Sequence, residues 1–400
     1  MPESCKSQGE RASRPFRDRA SLQHQRRTRA RRPCPLEDPI NGNQRCALQR
    51  RTRVCVTPLW ELELFAGNGD ISFVIARDSF SVGLDVSGPE QEALHERAAE
   101  VRDSVFGRTV FVRAVVEISN FCRENCGYCA MRRDNRGLNR FRLSSEELFK
   151  ELMSTLPDCV TDLNIQAGED PVAVRDIAVP LLEKLKKETG LGLSVCLGTL
   201  RGPDYADLQA AGADYYVIKV ETGNPEHYRF VQSPGSLEER VASIRHLAET
   251  GWSVSSGFVL GLPGQTPEIL DETVALLESL PLVGCSVSPF IPGEDTLFSS
   301  HPAETTARVL NAVAGLRQRM PRRIIPAVSA MSLAGDGGYS GALRAGANLA
   351  TINLTPAGAR ADYQIYRKER PIMTAERILS EIEKAGCTPS AVSIRDWLQA

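Results

Sequence analysis

The sequence predicts an α/β protein built as a (β/α)8 TIM-type barrel, preceded by a disordered basic N-terminal extension. Two patterns predict the barrel. From residue 110 onward, eight short apolar, β-branched runs alternate with helical patterns, which implies parallel strands and right-handed crossovers. Eight such units over roughly 270 residues match the size of the fold. A third observation marks its working end. The first run leads directly into Phe121-Cys122-Arg123-Glu124-Asn125-Cys126-Gly127-Tyr128-Cys129, three cysteines at CxxxCxxC spacing.

Bulk composition narrows the function classes. The chain is 42% apolar and 24% charged, as expected of a globular protein with a sizeable core. A net charge of −2 argues against a nucleic-acid-binding surface, so no nucleic acid partner is expected. No apolar run is long enough to span a bilayer, and no apolar h-region follows Met1, so no membrane association is expected. Of 11 cysteines three are clustered and the rest scattered, which reads as a reducing compartment with one metal site. Cys159, Cys196, Cys285 and Cys387 read as small core residues. The expected location is cytoplasmic, with organellar targeting by the Arg/Ser-rich start left open.

Residues 1–60 form the Arg-rich extension. The first 56 carry 14 Lys+Arg against 5 Asp+Glu, with almost no apolar periodicity, and cannot bury enough surface to fold alone. Cys34, Cys46 and Cys55 lack tight spacing and read as unliganded. Residues 61–109 form an N-terminal segment. Within it Glu61-Leu-Glu-Leu-Phe-Ala-Gly67-Asn-Gly69-Asp70, followed by Asp85, resembles the nucleotide-binding fingerprint of S-adenosylmethionine-dependent methyltransferases. Too few residues follow to supply the doubly wound sheet that fingerprint needs, so a methyltransferase site there is a minor alternative. Residues 88–106 repeat Leu94, Ala98, Val101 and Val105 at helical steps, and Gly107 suits a C-cap.

The barrel is expected over 110–373. Its strands are expected at 111–119, 162–167, 192–197, 215–221, 254–261, 284–290, 323–329 and 349–354. Helices are expected at 144–156, 174–189, 204–211, 236–250, 267–280, 303–319 and 338–345. A further helix is expected at 374–386, in a C-terminal segment 374–400 that closes the barrel. In this architecture chemistry collects at the C-terminal strand ends. The cysteine loop follows strand 1, and Gln166-Ala-Gly168-Glu169-Asp170-Pro171 ends strand 2. Lys219 and Glu221 lie in strand 4, and Gly261-Leu-Pro263-Gly264-Gln265 ends strand 5. Ser288 ends strand 6, Ser329 lies on strand 7, and Asn353-Leu-Thr355-Pro356 ends strand 8, with Arg360 beyond. Glu221, inside an apolar run, stands out from ordinary loop polarity.

Three thiolates on one loop can hold three corners of an iron–sulfur cube and leave one iron open. A structural zinc would need a fourth protein ligand, and no other His or Cys lies near. The loop together with Glu117-Ile-Ser-Asn120, Arg132-Arg133-Asp134-Asn135, Arg140-Phe-Arg142, Gly346-Ala-Asn348 and the strand-end strings resembles the radical S-adenosylmethionine superfamily. Within it the closest likeness is to the biotin-synthase-like branch, in particular the iron–iron hydrogenase maturase and methylornithine synthase group. The resemblance covers about residues 88–390.

The resemblance implies that Cys122, Cys126 and Cys129 ligate a 4Fe–4S cluster whose open iron takes S-adenosyl-L-methionine. Reductive cleavage would then give a 5′-deoxyadenosyl radical that abstracts hydrogen from a small, amino-acid-like substrate. It further implies that Tyr128 lies near the adenine, that Glu169 accepts from the cofactor amine, and that Glu221 and Arg240 hold the cofactor as a pair. Gly261 and Pro263 would let backbone approach the adenosine. Ser288, Ser329, Asn353, Thr355 and Arg360 are the expected substrate residues. A low-potential donor, flavodoxin or ferredoxin, is the expected protein partner. Maturase-type action on an iron–thiolate complex is an alternative, as is biotin-synthase-type sulfur insertion. The latter is weakened because strand 5 has Ser255-Ser256-Gly257, strand 2 has no cysteine, and strand 7 lacks the arginine of a second cluster site.

Overall fold

The computed structural model describes residues 79–334, 337–366 and 371–400. The basic extension, Cys34, Cys46, Cys55 and the glycine string with Gly67 and Gly69 lie outside the described residues. Asp85 is described, and it ends a short 3-10 turn, Ser81–Asp85, where the fingerprint needs a strand. Its carboxylate pairs with Arg308 Nε at 2.8 Å, and Leu84 beside it is buried in the core. The described part of the methyltransferase reading is therefore a packing turn.

Helix Pro89–Phe106 opens the folded unit and ends at Gly107, as its periodicity predicts. The strands are β1 Thr109–Ser119, β2 Asp162–Ala167, β3 Gly192–Cys196, β4 Tyr215–Val217, β5 Ser253–Leu260, β6 Gly284–Pro289 and β7 Leu349–Asn353. They pair in parallel in the order β6-β5-β4-β3-β2-β1-β7. The strand expected at 323–329 is reduced to two parallel bridges, Gly284↔Ile324 and Pro326↔Leu349, which join β6 to β7 and close the ring. Pro326 has no N–H for a ladder, and a 3-10 turn begins at Ser329. β4 is also shorter than expected. Beyond Val217 the chain stays on β5 through Ile218 N–H to Ser255 O and Glu221 N–H to Gly257 O, and rejoins it in one isolated parallel bridge, Glu221↔Phe258.

Alternation along β1 separates two environments. Val110, Val112, Ala114, Val116 and Ile118 are fully buried against the surrounding helices, while Arg113, Val115 and Glu117 point into the ring. Helices cover the outside because their starts are capped. Ser144, Thr266, Thr305 and Thr374 each accept a first-turn N–H, and Ser236 with Glu239 forms a capping box. The helix expected at 374–386 is Ala375–Lys384, while the short helices Pro225–Phe230, Ala357–Arg360 and Ile394–Gln399 were not expected from periodicity.

The string Gly346-Ala-Asn348 holds a buried guanidinium. Arg317 donates to the carbonyls of Gly346, Pro321 and Arg323 and to Asn348 Oδ1. Gly346 has φ +103°, and a Cβ there would meet Arg317 Cγ at 2.9 Å, so both backbone and space call for glycine. At the same N-terminal end of the strands, β8 Thr388–Pro389 pairs with the start of β1. Helix Ile394–Gln399 then brings Ile394 and Trp397 against Phe106 and Phe111 at the N-terminal end of β1.

Asp162 anchors that closing helix, accepting Ile394 N–H at 3.0 Å and the Thr161 hydroxyl at 2.8 Å. Burial pushes its carboxyl up to about 6, against the opposing pull of Ile394 N–H, Thr161 and Arg113. A folded-state value above the unfolded one favours the protonated form. That contribution is complete below about pH 4 and is lost as pH rises through about 6. Asp162→Asn is expected to raise stability by about 1–3 kcal/mol above that window and to change little below it. Urea midpoints across the pH range measure this.

Candidate active site

The cysteine loop is a rigid structure before any ligand is considered. Arg123 N–H donates to Glu169 O, Gly127 N–H to Val231 O and Ala130 N–H to Ile365 O, each at 3.0 Å. The Arg140 guanidinium donates to the carbonyls of Asn120, Met131, Arg132 and Asn135, gathering both ends of the loop. Asp170 takes a bidentate fork from Arg142 at 2.7 and 3.0 Å and the Ser119 hydroxyl at 2.7 Å, while the Arg142 guanidinium lies 4.0 Å over the Phe121 ring. Gly168 lets the loop lie directly on the end of β2, where a Cβ would meet Phe121 O at 2.3 Å and Cys122 Cβ at 2.9 Å. Gly168→Ala is expected to displace Phe121 and Cys122, to lower the iron held per chain by more than half and to lower the melting temperature. Iron analysis beside a thermal melt checks it.

All three thiols open on one cavity of about 410 Å³ at the C-terminal strand ends. Burial pushes the Cys129 thiol up to about 12, with the Cys122 charge adding to it. Burial raises Cys126 well above the ordinary thiol range, with Cys129 and Cys122 adding, and raises Cys122 against the backbone N–H groups of Glu124 and Glu169. Three thiols on one buried loop could ionise together only beside positive charge, which a bound metal would supply. Among the described residues no three His, Cys, Asp or Glu converge on one ion position. Thiolates that each take a different iron of a cube need not converge.

Beside the loop sits a buried ion cluster. Glu169 Oε1 accepts Arg240 Nη2 at 3.2 Å and Thr199 N–H at 3.0 Å, and Oε2 lies 3.4 Å from Arg123 Nη2. Arg240 emerges from the first turn of helix Leu237–Glu249, which the Ser236 capping box starts, and its Nε donates to Tyr228 OH at 3.4 Å. Glu221 faces the same cavity with φ +64°, a strained value for a non-glycine residue. Lys219 Nζ is 3.0 Å from Glu221 Oε2, yet off the line of a hydrogen bond, so this buried oxygen has no hydrogen-bond donor.

Residues 116–277 match the model of the radical SAM superfamily. The chain is 33% identical over 311 residues to the FeFe hydrogenase maturase subunit HydE of Thermotoga maritima, covering 76% of this chain and 88% of HydE. The chain belongs to the radical SAM superfamily. It is also 29% identical to the 3-methylornithine synthase of Methanosarcina barkeri, over 72% of this chain and 83% of that protein. The crystal structure of methylornithine synthase PylB superposes with a TM-score of 0.69 at 24% identity, covering 78% of this chain and 93% of PylB, which shows the shared fold. The protein is therefore a radical SAM enzyme of the group containing HydE, methylornithine synthase and biotin synthase, a family that works with a 4Fe–4S cluster and S-adenosylmethionine.

The residues present fit those groups. The donor set is three soft thiols on one loop, and the orphaned Glu221 Oε2 offers an acceptor to a bound ligand. Of the residues singled out in the sequence, Cys122, Cys126, Cys129, Tyr128, Glu169, Glu221, Arg240, Ser288, Ser329 and Asn353 line the cavity. Four do not. Thr355 is buried between the Glu117 N–H, which it accepts at 2.9 Å, and Glu117 Oε2, to which it donates at 3.1 Å. Arg360 donates to Thr355 O. Gly261 lies against Glu304 with its N–H on Gln265 Oε1, and Pro263 O takes His227 Nε2 at 2.9 Å. Glu221 and Arg240, expected to hold the cofactor together, face the same cavity and take separate protein partners. Arg240 pairs with Glu169 and Glu221 with Lys219.

Cys285 and Cys387 are buried, as expected of small core residues, and Cys159 is half-buried. Cys196, read the same way, instead lines the cavity, as do Arg113, Glu117 and Glu124. The signal for Arg113 was its parity with Glu117 on an otherwise apolar strand.

Proposed function

We propose that Cys122, Cys126 and Cys129 each ligate one iron of a 4Fe–4S cluster, that S-adenosylmethionine occupies the space bounded by Glu169, Glu221 and Arg240, and that a small, amino-acid-like substrate lies deeper in the barrel. When bound, these groups supply a 5′-deoxyadenosyl radical through one-electron cleavage of a carbon–sulfur bond, and the radical takes a hydrogen atom from the substrate. The observation that carries this reading is the convergence of three thiols, two carboxylates and one guanidinium on a single cavity. Arg240 keeps Nη1 without a protein partner, and its planar fork suits the cofactor carboxylate. Glu169 has three of its four acceptor positions taken, which leaves one for an ammonium. Glu221 Oε2 is the second open acceptor. Tyr128, packed with Val231, Val259 and Phe290, gives an apolar wall beside the loop. Ser288, Ser329 and Asn353 present polar groups to the substrate, and the closed ring keeps water from the reacting atoms. A flavodoxin or ferredoxin is the electron donor this chemistry requires.

The methylornithine synthase likeness supports an amino-acid-like substrate. The HydE identity favours a second reading, action on an iron–thiolate complex. Sulfur insertion has little support, because Cys196 is the one further cysteine lining the cavity among the described residues. The reconstituted enzyme, given reductant, S-adenosylmethionine and perdeuterated amino acids in turn, should transfer deuterium into 5′-deoxyadenosine from at least one. No transfer from any amino acid, with turnover on an iron–cysteine complex, would favour the maturase reading.

A further inference from the structure

A buried histidine has both ring nitrogens engaged, yet the cofactor reading gives it no role. His227 lies in helix Pro225–Phe230, which Asn224 starts by accepting the N–H groups of Glu226 and His227. Its Nε2 is 2.9 Å from Pro263 O, and its Nδ1 is 2.9 Å from Thr222 Oγ1. A carbonyl oxygen can only accept, so Nε2 carries the proton. Nδ1 is then an acceptor, and the Thr222 hydroxyl donates to it. Burial holds the imidazole below its ordinary pKa, against the opposing pull of Pro263 O, so the ring is neutral at neutral pH and keeps both bonds.

The two bonds join separate parts of the site. Thr222, fully buried, follows Glu221, whose φ of +64° persists only where the surroundings hold it. On one side β5 holds Glu221, through its N–H to Gly257 O and its carbonyl to Val259 N–H. On the other side the Thr222 side chain ends on His227. Pro263 belongs to the turn that follows β5. Beside it Gly264 has φ +80°, and a Cβ there would meet Phe230 Cε1 at 3.2 Å and His227 Cδ2 at 3.7 Å, so the turn lies directly on the helix. The same short helix reaches the rest of the site. Tyr228 OH accepts Arg240 Nε at 3.4 Å, and Val231 O, just after the helix, accepts Gly127 N–H of the cysteine loop at 3.0 Å.

We propose that His227 is a positioning residue for the cofactor, a clamp between the Thr222 hydroxyl and the Pro263 carbonyl that holds Glu221 in its left-handed conformation with Oε2 facing the cavity. The inference rests on the reading of Glu221 as a cofactor acceptor. His227 does not line the cavity and acts only through Thr222 and Pro263. A residue that merely filled space at this position would matter for stability and leave affinity alone.

The test uses the full-length, cluster-loaded protein without reductant, so that S-adenosylmethionine binds and is not cleaved. Its dissociation constant is read by calorimetry, beside a thermal melt. His227→Leu removes both hydrogen bonds and should raise the dissociation constant about three- to tenfold. Thr222→Val removes one end of the clamp and should also weaken binding. The double variant should bind no more weakly than His227→Leu, because both changes break the same clamp. His227→Gln keeps an N–H donor for Pro263 O and should bind more tightly than His227→Leu. Unchanged affinity in either His227→Leu or Thr222→Val, whatever the melting temperature, overturns the proposal. So do losses that add in the double variant, or a His227→Gln that binds no more tightly than His227→Leu. If His227→Leu does not fold, Thr222→Val and His227→Gln decide, each expected to bind more weakly than wild type. Wild type with an intact cluster and no S-adenosylmethionine binding would contradict the cavity reading and the proposal together. Binding that is the same in wild type and variants would contradict the role of His227 alone.

Discussion

Cys126→Ala is expected to abolish cluster binding and S-adenosylmethionine cleavage together, while leaving the barrel folded. Its thiol is the middle of three on a loop whose backbone is already fixed by Arg140, Glu169 O and Val231 O. Two remaining thiols cannot hold three corners of a cube, and no other cysteine on the loop can replace the lost ligand. Removing a buried thiol leaves a cavity worth about 1–2 kcal/mol, small beside the stability of a barrel this size. Iron and sulfide per chain should fall to background after anaerobic reconstitution, the visible charge-transfer absorption should vanish, and far-ultraviolet circular dichroism should match wild type. The same loss is expected of Cys122→Ala and Cys129→Ala. A variant that keeps a full cluster would show that this cysteine is not a ligand.

Arg240→Met should cost both stability and cofactor affinity. Arg240 and Glu169 are each less than one-tenth exposed, and removing one partner of a buried pair typically costs about 3–5 kcal/mol because the other charge is stranded. Glu169 keeps Thr199 N–H and the more distant Arg123, so the lower end of that range is expected. Tyr228 OH also loses a donor. Restoring neutrality with Glu169→Gln in the same chain should return part of the stability, a coupling that a double-mutant cycle measures. It should not return the cofactor, whose dissociation constant is expected to rise by about tenfold or more in both variants. Urea denaturation and equilibrium binding of S-adenosylmethionine separate the two effects. Full recovery of binding in the double variant would assign Arg240 a purely structural role.

The barrel was legible in the sequence because apolar β-branched runs alternate with helical periods. Six of the eight expected strands lie within a few residues of their predicted bounds. The run at 323–329 reads as a strand by composition, yet Pro326 removes the donor that a ladder needs. Helix Pro225–Phe230 is too short for periodicity to register, although Asn224 followed by Pro225 is a cap-and-first-turn signal. The cysteine loop was legible because spacing alone limits what three thiols can do. Partner choice was not. The Arg240 guanidinium meets Glu169, 71 positions earlier in the chain, and no one-dimensional pattern reports that. Thr355 and Arg360 show the converse. They are polar residues at a strand end that turn inward to satisfy Glu117 and a backbone carbonyl, and composition does not separate that duty from substrate binding. The Glu221 strain became visible only with coordinates.

Formation of 5′-deoxyadenosine is the most direct measurement of the central claim. The protein, reconstituted with iron and sulfide under anaerobic conditions, is given dithionite and S-adenosylmethionine, and the nucleoside products are separated and quantified against the cluster content. The structure predicts that 5′-deoxyadenosine and methionine appear in equal amounts, that their formation requires the reductant, and that Cys126→Ala yields neither. An intact 4Fe–4S cluster with no 5′-deoxyadenosine, or cleavage that persists in Cys126→Ala, would contradict the assignment of this cavity to radical chemistry.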